Sequence, residues 1–365
     1  MARVLITGPA ATDPGGVAVY LESVTKHFHA NNIEFDFLEI GSTRGRFLHP
    51  LADQLAFRDK IKKNQYDLVH INPSLLSRSF FRDGLLALQA KSRGLPVLVF
   101  MHGWSGEFEK QVERRWLRFF NATFGKADGF IVLASDFANK LKQWGIRAPI
   151  YRETTAVSDE LIATFDLESK LANSNVGNQC RVLFLARLEP DKGVYETIDA
   201  CALLKERQIN ILLTVAGDGP EAEQMRSYAE SKLGTHVQFP GYVRGDSKVE
   251  AFSNAHVYAM PTAYAEGLPI SLLEAMAFGL PVITRPVGGL KDVFIDGEHG
   301  FISESRDPAV IAAQLEQLVR DQALWRQISR NVHSFAKTHF VGSAVASELA
   351  EIYRNTMKAD TRSSV

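Results

Sequence analysis

Short apolar runs alternate along the chain with longer stretches whose apolar positions recur at helical spacing. Residues 4–7, 35–40, 67–71, 96–101 and 129–133 read as buried strands, and helices are expected over about 51–64, 75–93, 107–125 and 135–144. A further helix opens at Gly15-Gly16-Val17 and runs to about Asn31. A second set of such units begins at Cys180, with strands at 211–215, 256–260 and 281–284. Between the two sets the text turns polar, DLESKLANSNVGNQ over 166–179, which reads as a boundary loop. Helical stretches over about 307–338 and 343–358 close the chain. Strand-helix alternation of this kind predicts an α/β protein built on doubly wound parallel sheets.

Length supports a division in two, because 365 residues exceed one ordinary core and suit domains of about 150–200 residues each. The expected limits are 1–165 for the first domain, 166–179 for the linker, 180–342 for the second domain and 343–365 for a final helix and tail. Charge separates the halves. Residues 1–152 hold 21 Lys+Arg against 14 Asp+Glu, or +7, and residues 153–365 hold 20 against 28, or −8. A basic first half suits an anionic partner such as a phospholipid surface or a diphosphate-linked acceptor, or is simply a solvated surface. Neither Cys180 nor Cys201 has ligand spacing, so a disulfide framework and a zinc site are both unsupported, and a reducing compartment is expected. No signal segment and no spanning apolar run is read, so the expected location is the cytoplasm, or the inner face of the plasma membrane.

The most informative stretch is HVYAMPTAYAEGLPISLLEAMAFGLPVIT, residues 256–284. It predicts a strand, a loop, a helix opened by Pro269 and stopped at Gly279, and another strand. Glu266 falls in the loop and Glu274 on the second helical turn, so both carboxylates can face the crevice beyond the strand's carboxyl end. Gly267, Leu268, Pro269 and Ile270 bring backbone to the helix start, where unpaired N–H groups and the dipole favour an anion. A phosphate at that helix mouth beside two acidic hydroxyl acceptors would receive a nucleotide sugar. Glu274 stands among apolar neighbours, where an ionised carboxylate needs a partner.

EGLPISLLEAMAFGLPVI, with its two glutamates, resembles the donor-site signature of the retaining family 4 glycosyltransferases. That resemblance implies the GT-B fold: two Rossmann-like domains facing a cleft, with the last helix crossing back to the first domain. It assigns Arg187 and Lys192, in CRVLFLARLEPDKGV, to the donor pyrophosphate, which two cations at a strand's carboxyl end can neutralise. Gly217 in AGDGPE would line the nucleotide pocket, and Val243 in GYVRGDSKVEAF would offer its backbone to the base. Gly15 and Gly16 match the amino-terminal glycine loop, although GPAATDPGG is not the G-x-G-x-x-G of dinucleotide enzymes, so a nicotinamide cofactor is set aside. His102, in MHGWSGE at a strand's end, matches the histidine that reaches the donor sugar's hydroxyls. Two departures stand out: Lys291-Asp292 replaces a frequent Glu-Ile, and YRETTAVSD at 151–159 replaces an Asn-Gly-Val-Asp-like turn.

The expected reaction is hexosyl transfer from a nucleoside diphosphate sugar, UDP-hexose ahead of GDP-mannose, to a saccharide or lipid-linked saccharide. Arg187, Lys192, His102 and Glu266 are the expected catalytic set, with Glu274 on the ribose. No D-x-D pair stands near the strands, so no metal and no cofactor is expected. A non-hydrolysing sugar-nucleotide epimerase and a non-catalytic nucleotide-sugar-binding subunit are the rival readings, and nucleic acid is not an expected partner. Residues 78–82 and 109–127 mix arginines with aromatics, which suits either a peripheral contact with anionic lipid or a helix packing its aromatics on the sheet.

Overall fold

The computed structural model describes residues 1–10, 15–41, 49–264 and 267–362. The chain divides into two compact units, one made of Met1–Ala156, Ala265–Leu268 and Gly342–Val365, the other of Val157–Tyr264 and Pro269–Val341. Each is built on a six-stranded parallel sheet.

In the first unit the strands are β1 (Ala2–Gly8), β2 (Ile33–Glu39), β3 (Leu68–Ile71), the short β4 (Ser74–Leu75), β5 (Val97–Met101), the short β6 (Gly103–Trp104), β7 (Gly129–Val132) and β8 (Ile150–Arg152). The sheet order is β2-β1-β3-β5-β7-β8, with β4 and β6 paired separately. Helices α1 (Gly16–Thr25), α2 (His49–Lys63), α3 (Ser77–Lys91), α4 (Gly106–Gln111), α5 (Leu117–Ala122) and α6 (Ser135–Gln143) connect them. Strands β3, β5 and β7 are buried at every residue, as expected of continuous apolar runs covered on both faces.

The second unit contains helix α7 (Leu167–Asn173), then β9 (Cys180–Leu185), α8 (Val194–Glu206), β10 (Ile211–Ala216), α9 (Ala222–Leu233), β11 (Val237–Gly241), α10 (Asp246–Asn254), β12 (Val257–Met260), α11 (Ile270–Ala277), β13 (Val282–Thr284), α12 (Leu290–Val293), β14 (Gly300–Ile302), α13 (Pro308–Arg320) and α14 (Gln322–His339). Its order is β11-β10-β9-β12-β13-β14. The order reverses between β1 and β3 in the first sheet and between β9 and β12 in the second. Loops leaving the carboxyl ends of those strands diverge to either side and open a crevice.

Helix α15 (Gly342–Arg362) returns to the first unit, as the family resemblance implied. Its Tyr353 hydroxyl lies 2.6 Å from His70 Nδ1, inside the sheet's covering layer, and its ring packs edge-on against Phe28. Three local expectations change. The 166–179 stretch is not all loop, because Asp166 accepts from the amides of Glu168 and Ser169 and so caps α7. The 307–338 stretch is two helices, broken at Asp321, whose carboxylate accepts from Leu324 N and starts α14. The single helix expected over 107–125 is interrupted by a π turn at Val112–Trp116. Phe120 and Phe124, beyond that turn, are fully buried, while Trp116 stays 39% exposed.

Candidate functional site

In the second unit, the loop leaving β9 carries Arg187 and Lys192. Pro190–Lys192 forms one 3-10 turn ended by Gly193 at φ 85, a left-handed position that favours glycine. A Cβ there would also come 2.6 Å from the Pro261 carbonyl oxygen, so this loop runs against the one leaving β12. The Asp191 carbonyl fastens the two together, accepting from Ala263 N at 2.7 Å, Tyr264 N at 3.1 Å and Thr262 Oγ1 at 3.2 Å. Lys192 Nζ then lies 4.1 Å from the centre of the Tyr264 ring. Arg187 is 68% exposed and pairs with Glu189 at 3.1 Å. The switch point thus places two cations on one loop beside the approach to α11.

Gly217 holds the next loop. Its φ is 142, and a Cβ would come 1.9 Å from the Ala186 carbonyl oxygen. Leu188 N donates to Asp218 O at 2.9 Å, so backbone runs on backbone between the β9 and β10 loops. Gly217 therefore sets the position of the segment that carries Arg187. Val243, 8% exposed, lines a cavity of about 740 Å³ with Leu212, Thr214, Pro240, Ser247 and Glu250. Arg187, Lys192, Gly217 and Glu274 do not line that cavity.

Helix α11 begins after Pro269, which has an extended backbone and no side-chain cap. The first intrahelical acceptor, Pro269 O, serves Leu272 and Leu273, so the amides of Ile270 and Ser271 lie before the helical ladder. Gly279 at φ 66 ends the helix where the sequence placed its stop. Glu274 is 3% exposed. Its Oε1 accepts from Lys248 Nζ of α10 at 2.6 Å, while Oε2 is buried with no hydrogen-bond partner among the described residues. Burial pushes the Glu274 carboxyl up, and the Lys248 ammonium offsets only part of that rise. Glu266, the other carboxylate of the motif, lies outside the described residues.

In the first unit, Gly15 immediately precedes α1 and Gly16 opens it, and a Cβ on Gly15 would meet nothing within 4 Å. Gly15 is extended, so nothing in the described chain requires glycine there. Gly267 is different: a Cβ would come 2.7 Å from the His102 carbonyl oxygen and 2.5 Å from Leu133 Cδ1. Thr155 Oγ1 donates to Leu268 O at 3.4 Å. His102 itself is 8% exposed, stacked on Phe100 at 3.8 Å and tilted against Tyr20 at 5.0 Å. Its Nε2 lies 2.8 Å from Asn72 Oδ1. Burial, with His70 nearby, holds its imidazole well below the usual range, so the ring is neutral at pH 7.

Asn72 and Lys248 are the residues that sequence reasoning missed. Asn72 had one available signal, its place directly after the buried run at 68–71. Lys248 had none, since a lysine on a polar helix is ordinarily solvated. Among the described residues no group of three or more His, Cys, Asp or Glu is arranged to hold a metal ion, and no helix is long and apolar enough to cross a membrane.

Comparison with known proteins gives the site its family. The glycosyl transferases group 1 profile matches residues 168–335, and the Glycosyltransferase Family 4 profile matches residues 14–152. A phosphatidyl-myo-inositol mannosyltransferase of Mycobacterium leprae is 34% identical over 50% of this chain and 48% of its own. The capsular polysaccharide biosynthesis glycosyltransferase CapM of Staphylococcus aureus is 30% identical over 48% of this chain and 46% of its own. The matched region thus spans about half the length of each of these relatives. The crystal structure of Anabaena HepE in complex with UDP-glucose superposes with a TM-score of 0.74 at 17% identity, over 97% of this chain and 100% of that one. With one profile falling in each half and the EGLPISLLEAMA signature inside the second, the chain belongs to the family 4, group 1 glycosyltransferases of GT-B fold.

Proposed function

We propose that this chain transfers a hexosyl group from a nucleoside diphosphate sugar, UDP-hexose ahead of GDP-mannose, to a saccharide or lipid-linked saccharide. The product would serve cell-surface polysaccharide or glycoconjugate synthesis. The observation that carries this reading is the docking of the Arg187–Lys192 loop onto the 261–264 loop through the Asp191 carbonyl, at the carboxyl ends of β9 and β12. It presents two cations next to a helix start without a side-chain cap, which suits a diphosphate. The capsular polysaccharide relative and the UDP-glucose complex of HepE support the choice of pathway class and donor.

In the proposed reaction the bond from the anomeric carbon to the β-phosphate oxygen breaks, and the acceptor oxygen bonds to the same face of that carbon. The acceptor's proton passes to the departing phosphate, and the anomeric configuration is retained. Negative charge builds on the diphosphate as the bond breaks, and Arg187, Lys192 and the first amides of α11 stabilise it. Gly217 and Val243 flank the nucleotide, while Gly15, Gly16, Gly267, Leu268 and Pro269 supply backbone around the phosphates and sugar. Glu266 and His102 orient the hexose, and Glu274 accepts from the ribose hydroxyls.

A peripheral contact with anionic lipid forms part of the proposal. The two segments singled out for it meet in the first unit, where the Phe81 ring lies 4.8 Å from that of Trp116. Arg78, Arg114, Arg115 and Arg118 are exposed around the partly exposed Trp116. The test of the activity is incubation with UDP-hexoses and GDP-mannose, scoring nucleoside diphosphate release with and without a lipid-linked saccharide. Acceptor-dependent release is expected. Epimerised donor without release, or tight binding without turnover, would overturn the transferase reading.

A further inference from the structure

We propose that Lys248 is a positioning residue for the nucleotide's ribose: by binding Oε1 of Glu274 it leaves Oε2 as the acceptor for the ribose diol. The inference rests on the reading of Glu274 as the ribose contact and adds the group that makes the contact work.

Glu274 sits mid-helix among Leu272, Leu273, Ala275 and Met276, all buried. A carboxylate there loses most of its hydration, a cost that an isolated charge relieves by taking up a proton. Lys248 opposes this. It projects from the first turns of α10, with its side chain 23% exposed, and meets the carboxylate at 2.6 Å. Its contact is with one carboxylate oxygen, Oε1. The second oxygen remains buried and unpaired among the described residues, which is costly unless something donates to it. A vicinal diol offers two donors in a narrow space, and a carboxylate oxygen with its charge retained accepts from them far better than a neutral carboxyl. Lys248 is thus asymmetric in its effect: it favours the charge and occupies one oxygen, leaving Oε2 to accept from the diol.

The test compares calorimetric affinities for UDP and 2′,3′-dideoxy-UDP, whose ratio isolates the diol contact. In the unsubstituted protein the ratio is expected to be about 10 or more, the scale of a charge-assisted hydrogen bond. Lys248→Met should reduce it to within about 3-fold of unity, and Lys248→Arg should restore most of it. Lys248→Gln, which retains reach without charge, supplies the same comparison if the methionine variant does not fold. A merely structural role for Lys248 would weaken both ligands equally and leave the ratio unchanged, which overturns the proposal. Glu274→Ala separates the two levels. If it leaves the ratio unchanged, the ribose reading of Glu274 itself fails; if it abolishes the ratio while Lys248→Met does not, only the role of Lys248 fails.

Discussion

Asn72 Oδ1 accepts from His102 Nε2 at 2.8 Å, and the amide nitrogen of the same asparagine donates to the Thr7 carbonyl at 3.0 Å. The second bond orients the amide, so its oxygen, not its nitrogen, faces the imidazole. His102 therefore carries its proton on Nε2 and presents Nδ1 as an acceptor. Asn72→Asp would place a carboxylate beside the ring and favour the imidazolium. Nitrogen-15 NMR of labelled protein should show His102 as the neutral Nε2–H tautomer at pH 7, and as imidazolium in Asn72→Asp. In the transferase reading, turnover of that variant falls at least about tenfold, on the scale of one misplaced catalytic group; an Nδ1–H tautomer in the unsubstituted protein would contradict the assignment.

Lys192→Ala should lower turnover by a factor on the order of 10² with a smaller change in donor KM, because charge on the diphosphate grows during bond breaking. Steady-state kinetics with UDP-hexose checks this. Wild-type turnover in the variant would remove Lys192 from the proposed machinery.

Glu153 gives a pH dependence to stability. Burial and the neighbouring Glu348 carboxyl, to which it is hydrogen bonded, push its carboxyl up to about 9 from an ordinary 4.5. Between those values the folded chain keeps a proton that the unfolded chain has released, so stability falls as pH rises through that window. Glu153→Gln removes this dependence. Its thermal midpoint should exceed that of the unsubstituted protein at pH 8 by roughly 2–4 °C, and match it more closely at pH 5. A gain that is equal at both pH values would refute the linkage.

Gly217→Ala should destabilise the second unit by more than about 2 kcal/mol, since φ is unfavourable for alanine and its Cβ would overlap the Ala186 carbonyl. Denaturant melts measure it directly. Because that carbonyl adjoins Arg187, donor affinity should fall as well.

Sedimentation with vesicles containing anionic phospholipid should recover the protein at low salt and release it at high salt. Trp116→Ala combined with Arg114→Ala should reduce recovery at low salt. Absence of binding to anionic vesicles at low salt would eliminate the proposed membrane contact.

Much of this architecture was legible in local pattern. Buried strands announce themselves as apolar runs, Gly279 stops α11 where a left-handed residue is needed, and the strand-helix alternation permits little besides parallel sheets. The break at Asp321 and the π turn at 112–116 were not legible, because helical periodicity continues across both and only the packing of Phe120, Phe124 and Leu324's amide cap distinguishes them. The linker's helix escaped for a related reason: its polar composition hides a cap.

What the sequence determined alone is the set of elements and the motifs at their ends, since both follow from short-range spacing. What only the tertiary structure decided is which groups those motifs lean on. Lys248 and Glu274 are 26 residues apart, Asn72 and His102 are 30 apart, and Gly217 is shaped by Ala186 in a different loop. Each of these relationships is a contact between neighbouring helices or between loops at the ends of neighbouring strands, brought together by sheet order, and local propensity carries no record of sheet order.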